Sequence, residues 1–203
     1  MKREEALKFL NEKILSRGQS ASGRENKNII KHMLATEALM GGVFDALKTK
    51  GAADLDGTKE EWMMAGLLHD GDYCEGVPMT RQGVQVTEWL RERDYEVPEN
   101  VAQAMGAHNP ETGIKPQNLM DWAIFCGDSL TGLIVAATLV LPSKKLADVT
   151  VENILNRFKE KSFAAGTRRE DIKLCEEKLG ILLREFVEIS LKAMQEIAKE
   201  LGL

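Results

Sequence analysis

Phe125-Cys126-Gly127-Asp128-Ser129-Leu130-Thr131-Gly132 lies inside a segment, Leu119 to Leu141, that is nearly continuous in apolar and small residues. The segment is too long and too alanine-rich for a strand, so it reads as a buried central helix. Pro116 opens it, Pro142 ends it, and Asp121 and Asp128 are its only charges. An ionised carboxylate in such surroundings is costly unless it is paired or bound to a cation. Small residues flank Asp128 on both sides and let another backbone or a ligand come close. Two readings of Asp128 follow: a hydrogen bond to a neighbouring helix end, or membership of a metal site.

Outward from that helix, the three- and four-residue apolar spacing of a helix recurs along the chain. Lys2 to Leu15 forms a short amphipathic helix, and Arg17-Gly18-Gln19-Ser20-Ala21-Ser22-Gly23 reads as a mobile connector. A long helix follows from Glu25 to about Lys50, with Ile29, Ile30, Met33, Leu34, Leu39, Met40, Val43, Phe44 and Leu47 on its apolar side. Thr58 with Glu61 three residues on forms a capping box for the next helix, which runs into His69-Asp70. Gly71 to Pro78 is a loop, and helices are expected over Thr80 to Arg93 and from Pro98 to His108. Three more are expected over Val151 to Phe158, Arg169 to Lys178 and Leu182 to Leu201. Strand signals are nearly absent, with aromatics at 5% and no alternating β-branched run. The fold class is all-α. Residues 1–22 form an N-terminal helix and connector, and residues 23–203 one helical domain that includes the C-terminal helices.

Composition narrows the function. The 203 residues carry 43% apolar and 29% charged side chains, enough for a sizeable core and typical of a water-soluble domain. A net charge of −5 disfavours binding to a nucleic-acid duplex, which asks for a basic face. No apolar run of about 18 residues is free of charge, so no membrane association is expected. Met1-Lys2-Arg3-Glu4-Glu5 does not open a signal peptide. Cys74, Cys126 and Cys175 are odd in number and widely spaced, which fits a reducing cytoplasm better than a disulfide framework.

The chain has only three histidines, His32, His69 and His108. His69-Asp70 closes the apolar run Trp62 to Leu68 and offers an imidazole nitrogen and a carboxylate oxygen side by side. With His32 and Asp128 they make two imidazoles and two carboxylates, a set that neutralises a dication and leaves positions for water and substrate.

The order His, then His-Asp, then Asp, each on a helix of an all-α chain, resembles the HD superfamily of metal-dependent phosphohydrolases. Its motif falls on His32, His69-Asp70 and Asp128. Ala65 to Tyr73, Ala107-His108-Asn109-Pro110-Glu111-Thr112-Gly113 and Lys161-Ser162-Phe163-Ala164-Ala165-Gly166 resemble an uncharacterised branch of those hydrolases. The resemblance covers roughly residues 25 to 200 and implies an HD-like helical bundle with additional C-terminal helices. It also implies a small phosphorylated substrate, nucleotides among the candidates. Departures restrict the chemistry. Gly71 stands where many relatives have Ile, Val77-Pro78-Met79-Thr80-Arg81 lacks their histidine, and only His108 remains of a later pair. One divalent ion (Mn, Co, Mg, Ni, Fe or Zn) is therefore expected, and the ring-opening oxygenase chemistry of some dinuclear relatives is disfavoured.

Other residues take expected roles around that ion. Asp72 and Glu75, on the loop behind the ligands, are candidates to orient a water or protonate the leaving oxygen. His108 is a candidate to touch the substrate or support the site. Lys144, Lys145, Arg168 and Arg169 are candidates to hold a phosphate by charge. A homodimer is allowed. Two rivals stand beside the hydrolase: a regulatory HD domain that binds a nucleotide or metal without turnover, and a helical interaction module in which Asp128 and His69 only make structural hydrogen bonds.

Overall fold

The computed structural model describes residues 1–15 and 26–203. The connector expected at Arg17 to Gly23 lies outside the described residues. Among those described there is no strand, and ten α-helices follow in order: α1 (Arg3–Leu10), α2 (Asn26–Thr49), α3 (Lys59–Leu68), α4 (Val84–Arg91), α5 (Glu99–Ala107), α6 (Leu119–Leu139), α7 (Val151–Lys159), α8 (Arg169–Leu179), α9 (Leu183–Glu196) and α10 (Ala198–Leu201).

α6 is the centre, as its composition requires. It starts where the Asn118 side chain accepts the amide of Asp121 at 2.9 Å, and it buries Ile124, Leu130, Leu133 and Ile134 completely. α2, α5 and α8 pack around it. Among the described residues it is the one helix long and apolar enough to cross a membrane, and more than half of that stretch is buried in the bundle. α1 buries Ala6, Phe9 and Leu10 in the same core, and Arg3 clamps Glu37 of α2 at 2.6 Å.

Two close approaches bring the helices together. A Cβ on Gly66 of α3 would stand 2.7 Å from the Thr36 carbonyl oxygen and 2.9 Å from the Glu37 backbone of α2. A Cβ on Gly127 of α6 would stand 2.5 Å from a Leu39 methyl of α2. At Gly66 backbone meets backbone, which only glycine allows, and at Gly127 a Leu39 side chain fills the space a Cβ would take. Both glycines neighbour residues of the expected metal set, so the contacts that seat α3 and α6 on α2 also converge His69 and Asp128 on His32.

The expected capping box at α3 is present, with Thr58 accepting from Glu61 N at 3.2 Å and donating its own amide to Glu61 Oε2 at 2.8 Å. Three helix boundaries differ from the periodic reading. The segment after α1, Asn11–Leu15, widens to a π-helical turn. Met79–Arg81 is a separate 3₁₀ turn, because Gly83 at φ 75° must intervene before α4 can start. Ile197, at φ −109° and ψ 17°, divides the last helix into α9 and α10. Periodicity continues through each of these breaks and so cannot reveal them.

At the start of α6 the Asp121 carboxylate is fully buried. Its Oδ2 accepts from Gln117 N at 2.9 Å and Gln103 Nε2 at 3.3 Å, while Oδ1 has no partner among the described residues. Burial raises its pKa, against those hydrogen bonds. All three cysteines are buried and free, and burial pushes the Cys175 thiol up to about 12.

Candidate metal centre

His32 comes from the second turn of α2, His69 and Asp70 directly follow α3, His108 directly follows α5, and Asp128 lies mid-way along α6. Their functional atoms meet. His32 Nε2 is 2.9 Å from Asp128 Oδ1, 3.2 Å from His69 Nε2 and 3.6 Å from Asp70 Oδ2. His69 Nε2 is 3.7 Å from both Asp70 Oδ2 and Asp128 Oδ1. Each of these spans is within the roughly 4 Å that separates opposite ligands at about 2 Å per bond.

The protons on the other ring nitrogens are already committed. His69 Nδ1 donates to the Gly66 carbonyl at 2.8 Å and His108 Nδ1 to the Met105 carbonyl at 2.5 Å. Thr131 Oγ1 gives its proton to the Asp128 carbonyl at 2.8 Å, so at 3.0 Å from His32 Nδ1 it accepts. These bonds put a proton on each Nδ1 and leave every Nε2 open to a metal ion or to a second proton. Nε2 of His32 then stands 2.9 Å and that of His69 3.7 Å from Asp128 Oδ1, and that of His108 3.4 Å from Asp70 Oδ1. Such a cluster of acceptors calls for a positive centre in its midst, a proton or a metal ion. Two neutral imidazoles and two carboxylates suit a divalent transition metal, so the donor set fits one.

Burial opposes ionisation of Asp70, yet His69, His108 and His32 outweigh it and bring its pKa to about 2. Burial likewise opposes the Asp128 charge, and hydrogen bonds to His32 and His69 hold its pKa well below the usual carboxylate range. For His108 burial lowers and the Asp70 hydrogen bond raises, with a net rise; its Nε2 stands 3.4 Å from Asp70 Oδ1.

The remaining expected site residues divide. Arg168, at the start of α8, reaches the site and donates from Nη2 to Asp128 Oδ2 at 2.9 Å. Asp128 thus also meets the start of a neighbouring helix, so the two readings of it are not exclusive. Asp72 is turned away from the cavity. It is fully buried and accepts from the amides of Gly83 at 3.0 Å and Val86 at 2.9 Å. α4 has no side-chain cap of its own, and Asp72 supplies the acceptor its first turn lacks. Burial pushes its carboxyl up to about 6, against those two amides. Glu75 is exposed and does not line the cavity. Lys144 and Lys145 are exposed beyond the C-terminal end of α6, also outside it. Arg169 turns inward and donates to the carbonyls of Phe158, Glu160 and Phe163 at 2.8, 2.9 and 2.5 Å. These five positions were expected from charge and nearness in sequence, neither of which fixes where a side chain points.

Sequence reasoning also missed residues. Thr131 sets the His32 tautomer; its place three residues after Asp128 puts it on the same helix face, a signal that could have been read. Gln82 donates from Nε2 to Asp70 Oδ1 at 3.3 Å, and Asn109 holds the Gln82 carbonyl oxygen at 2.5 Å. Those two reach Asp70 through tertiary contacts that no spacing encodes. A cavity of about 550 Å³ opens over the cluster, lined by His32, Asp70, His108 and Asp128 on one side and by the turn from Ala164 to Arg168 on the other. Comparison of the chain with family models, curated proteins and solved structures finds no match.

Proposed function

We propose that the chain is a metal-dependent phosphohydrolase in which His32, His69, Asp70 and Asp128 hold one divalent ion beneath the 550 Å³ cavity. The observation that carries this reading is the convergence of Nε2 atoms and carboxylates, His32 lying 2.9 Å from Asp128 and 3.2 Å from His69, with every Nδ1 proton committed elsewhere. The order of the four residues, which resembles the HD superfamily, supports phosphoester hydrolysis over other metal chemistry. A small phosphorylated substrate fits, nucleotides among the candidates.

Held by His32, His69, Asp70 and Asp128, a divalent ion would supply Lewis acidity toward a phosphoryl oxygen and a water molecule. The protein residues prepare the rest. Thr131 and the Gly66 carbonyl fix the rings of His32 and His69, and Gln82 engages Asp70 Oδ1 so that Oδ2 faces the imidazoles. His108 carries a proton on Nε2 against Asp70 and can release it to the leaving oxygen. With Asp72 committed to α4 and Glu75 in solvent, that task falls to His108.

The reading is tested with a panel of nucleoside mono-, di- and triphosphates and simple phosphomonoesters, assayed with Mn, Co, Mg, Ni and Fe. Metal-dependent release of phosphate is expected, lowered about a hundredfold to ten-thousandfold by His108→Ala with metal retained. Bound metal without turnover of any substrate would instead favour the regulatory HD domain.

A further inference from the structure

The cavity wall opposite the metal cluster has chemistry of its own. Arg168 is the one arginine or lysine among the residues lining it. Its guanidinium is fixed on two sides, by Nε to Asp171 Oδ2 at 2.8 Å and by Nη2 to Asp128 Oδ2 at 2.9 Å and the His108 carbonyl at 3.1 Å. Nη1 has no partner among the described residues, which leaves one edge of a rigid fork unused. Ser129 Oγ, one helical position beyond Asp128, accepts the Arg168 amide at 3.4 Å and keeps its own proton to donate.

The turn before Arg168 leaves several backbone groups without an internal partner. The Phe163 carbonyl is taken by Arg169, and the Ala164 carbonyl accepts Thr167 N at 2.9 Å. The amides of Ala164, Ala165 and Gly166 have no acceptor among the described residues, although all three residues line the cavity. The Ala165 and Gly166 carbonyls also have no donor among the described residues, and the free amides are the groups of this turn that an anion can use.

We infer that Arg168 Nη1, the Ser129 hydroxyl and these backbone amides form a subsite for a dianionic phosphoryl group, and that it fills only when the metal is bound. The inference rests on the metal reading above and deepens it. The coupling follows from charge. Asp70, Asp128 and Asp171, set against Arg168 and the doubly protonated His108, leave one net negative charge, so a dianion is repelled from the metal-free cavity. A dication turns that balance to one net positive charge, and the dianion is drawn in. Because Asp128 is shared between Arg168 and the ion, the two binding events are linked, and phosphate tightens metal binding by the same factor as metal tightens phosphate binding.

The test uses Mn²⁺ and inorganic phosphate with the full chain stripped by chelator. Mn²⁺ is titrated calorimetrically first, then phosphate, on the wild type, Arg168→Gln and Ser129→Ala. Expected are equal Mn²⁺ stoichiometry in all three, phosphate affinity about tenfold to hundredfold lower in Arg168→Gln, in keeping with the loss of a charged hydrogen bond, and a smaller loss in Ser129→Ala. Phosphate should bind the metal-free wild type at least about tenfold more weakly than the loaded protein. Equal phosphate affinity in Arg168→Gln and wild type at equal Mn²⁺ content overturns the subsite and leaves the metal reading standing. Failure of the wild type to bind Mn²⁺ overturns both. Should Arg168→Gln lose its cooperative melt, Ser129→Ala carries the test, and unchanged phosphate affinity there overturns the subsite.

Discussion

Nε2 of His32, on α2, stands 2.9 Å from Oδ1 of Asp128, on α6, while the ring's Nδ1 is turned away to Thr131 Oγ1 at 3.0 Å. The Thr131 hydroxyl fixes this arrangement, because its own proton is committed to the Asp128 carbonyl and it can only accept from His32 Nδ1. An ion pair built for stability would place a proton between the two groups. In the proposed metal site a cation would take the place of that proton.

Thr131→Val therefore tests positioning without touching a ligand. The isosteric side chain keeps the packing and removes the acceptor that holds His32. Metal affinity is expected to fall about tenfold to a hundredfold, read by competition against a chelating dye, while the thermal melt of the metal-free protein moves little. An unchanged metal affinity would show that Thr131 does not orient His32.

The glycines give a contrast in stability. Gly66→Ala forces a methyl to 2.7 Å from the Thr36 carbonyl, backbone against backbone, and Gly132→Ala on α6 meets nothing within 4 Å. The first should cost at least about 1–3 kcal/mol in urea unfolding, and the second should stabilise by up to about 1 kcal/mol through helix propensity. Equal effects from the two would contradict the close approach of α2 and α3.

Asp121 carries a pH signature. Its folded-state pKa lies above the usual carboxylate value, with burial the main cause, so the folded protein binds its proton more tightly than the unfolded chain does. The stability this contributes is present at low pH and is lost as pH rises through the folded value. The wild type should therefore gain stability relative to Asp121→Asn as pH falls from neutral into the carboxylate range, followed by urea midpoints. A difference independent of pH would mean that the Asp121 carboxyl is solvated.

What the sequence reveals and what it hides divides along physical lines. The length and apolar continuity of α6, the capping box at Thr58 and the helical spacing of α2 are local patterns, and the helices form where those patterns lie. The residues that must bury a charge, Asp70 and Asp128, stand out because an apolar context makes their cost visible. Asp72 misleads for the same reason: it too is buried, but its cost is met by the Gly83 and Val86 amides, which belong to a later helix. Arg168 and Arg169 are adjacent in sequence and opposite in direction, one facing the cavity and the other tying down carbonyls. The start of α8 decides between them, and charge alone cannot.

The central claim is that His32, His69, Asp70 and Asp128 hold one divalent ion. Metal content per chain, measured by plasma mass spectrometry after stripping and reloading with Mn²⁺, tests it most directly. The account predicts about one equivalent in the wild type, in line with a single four-residue site, and almost none in Asp128→Ala or His69→Ala when each retains the wild-type helical spectrum. A wild type that retains no metal, or an Asp128→Ala protein that retains a full equivalent, would contradict it.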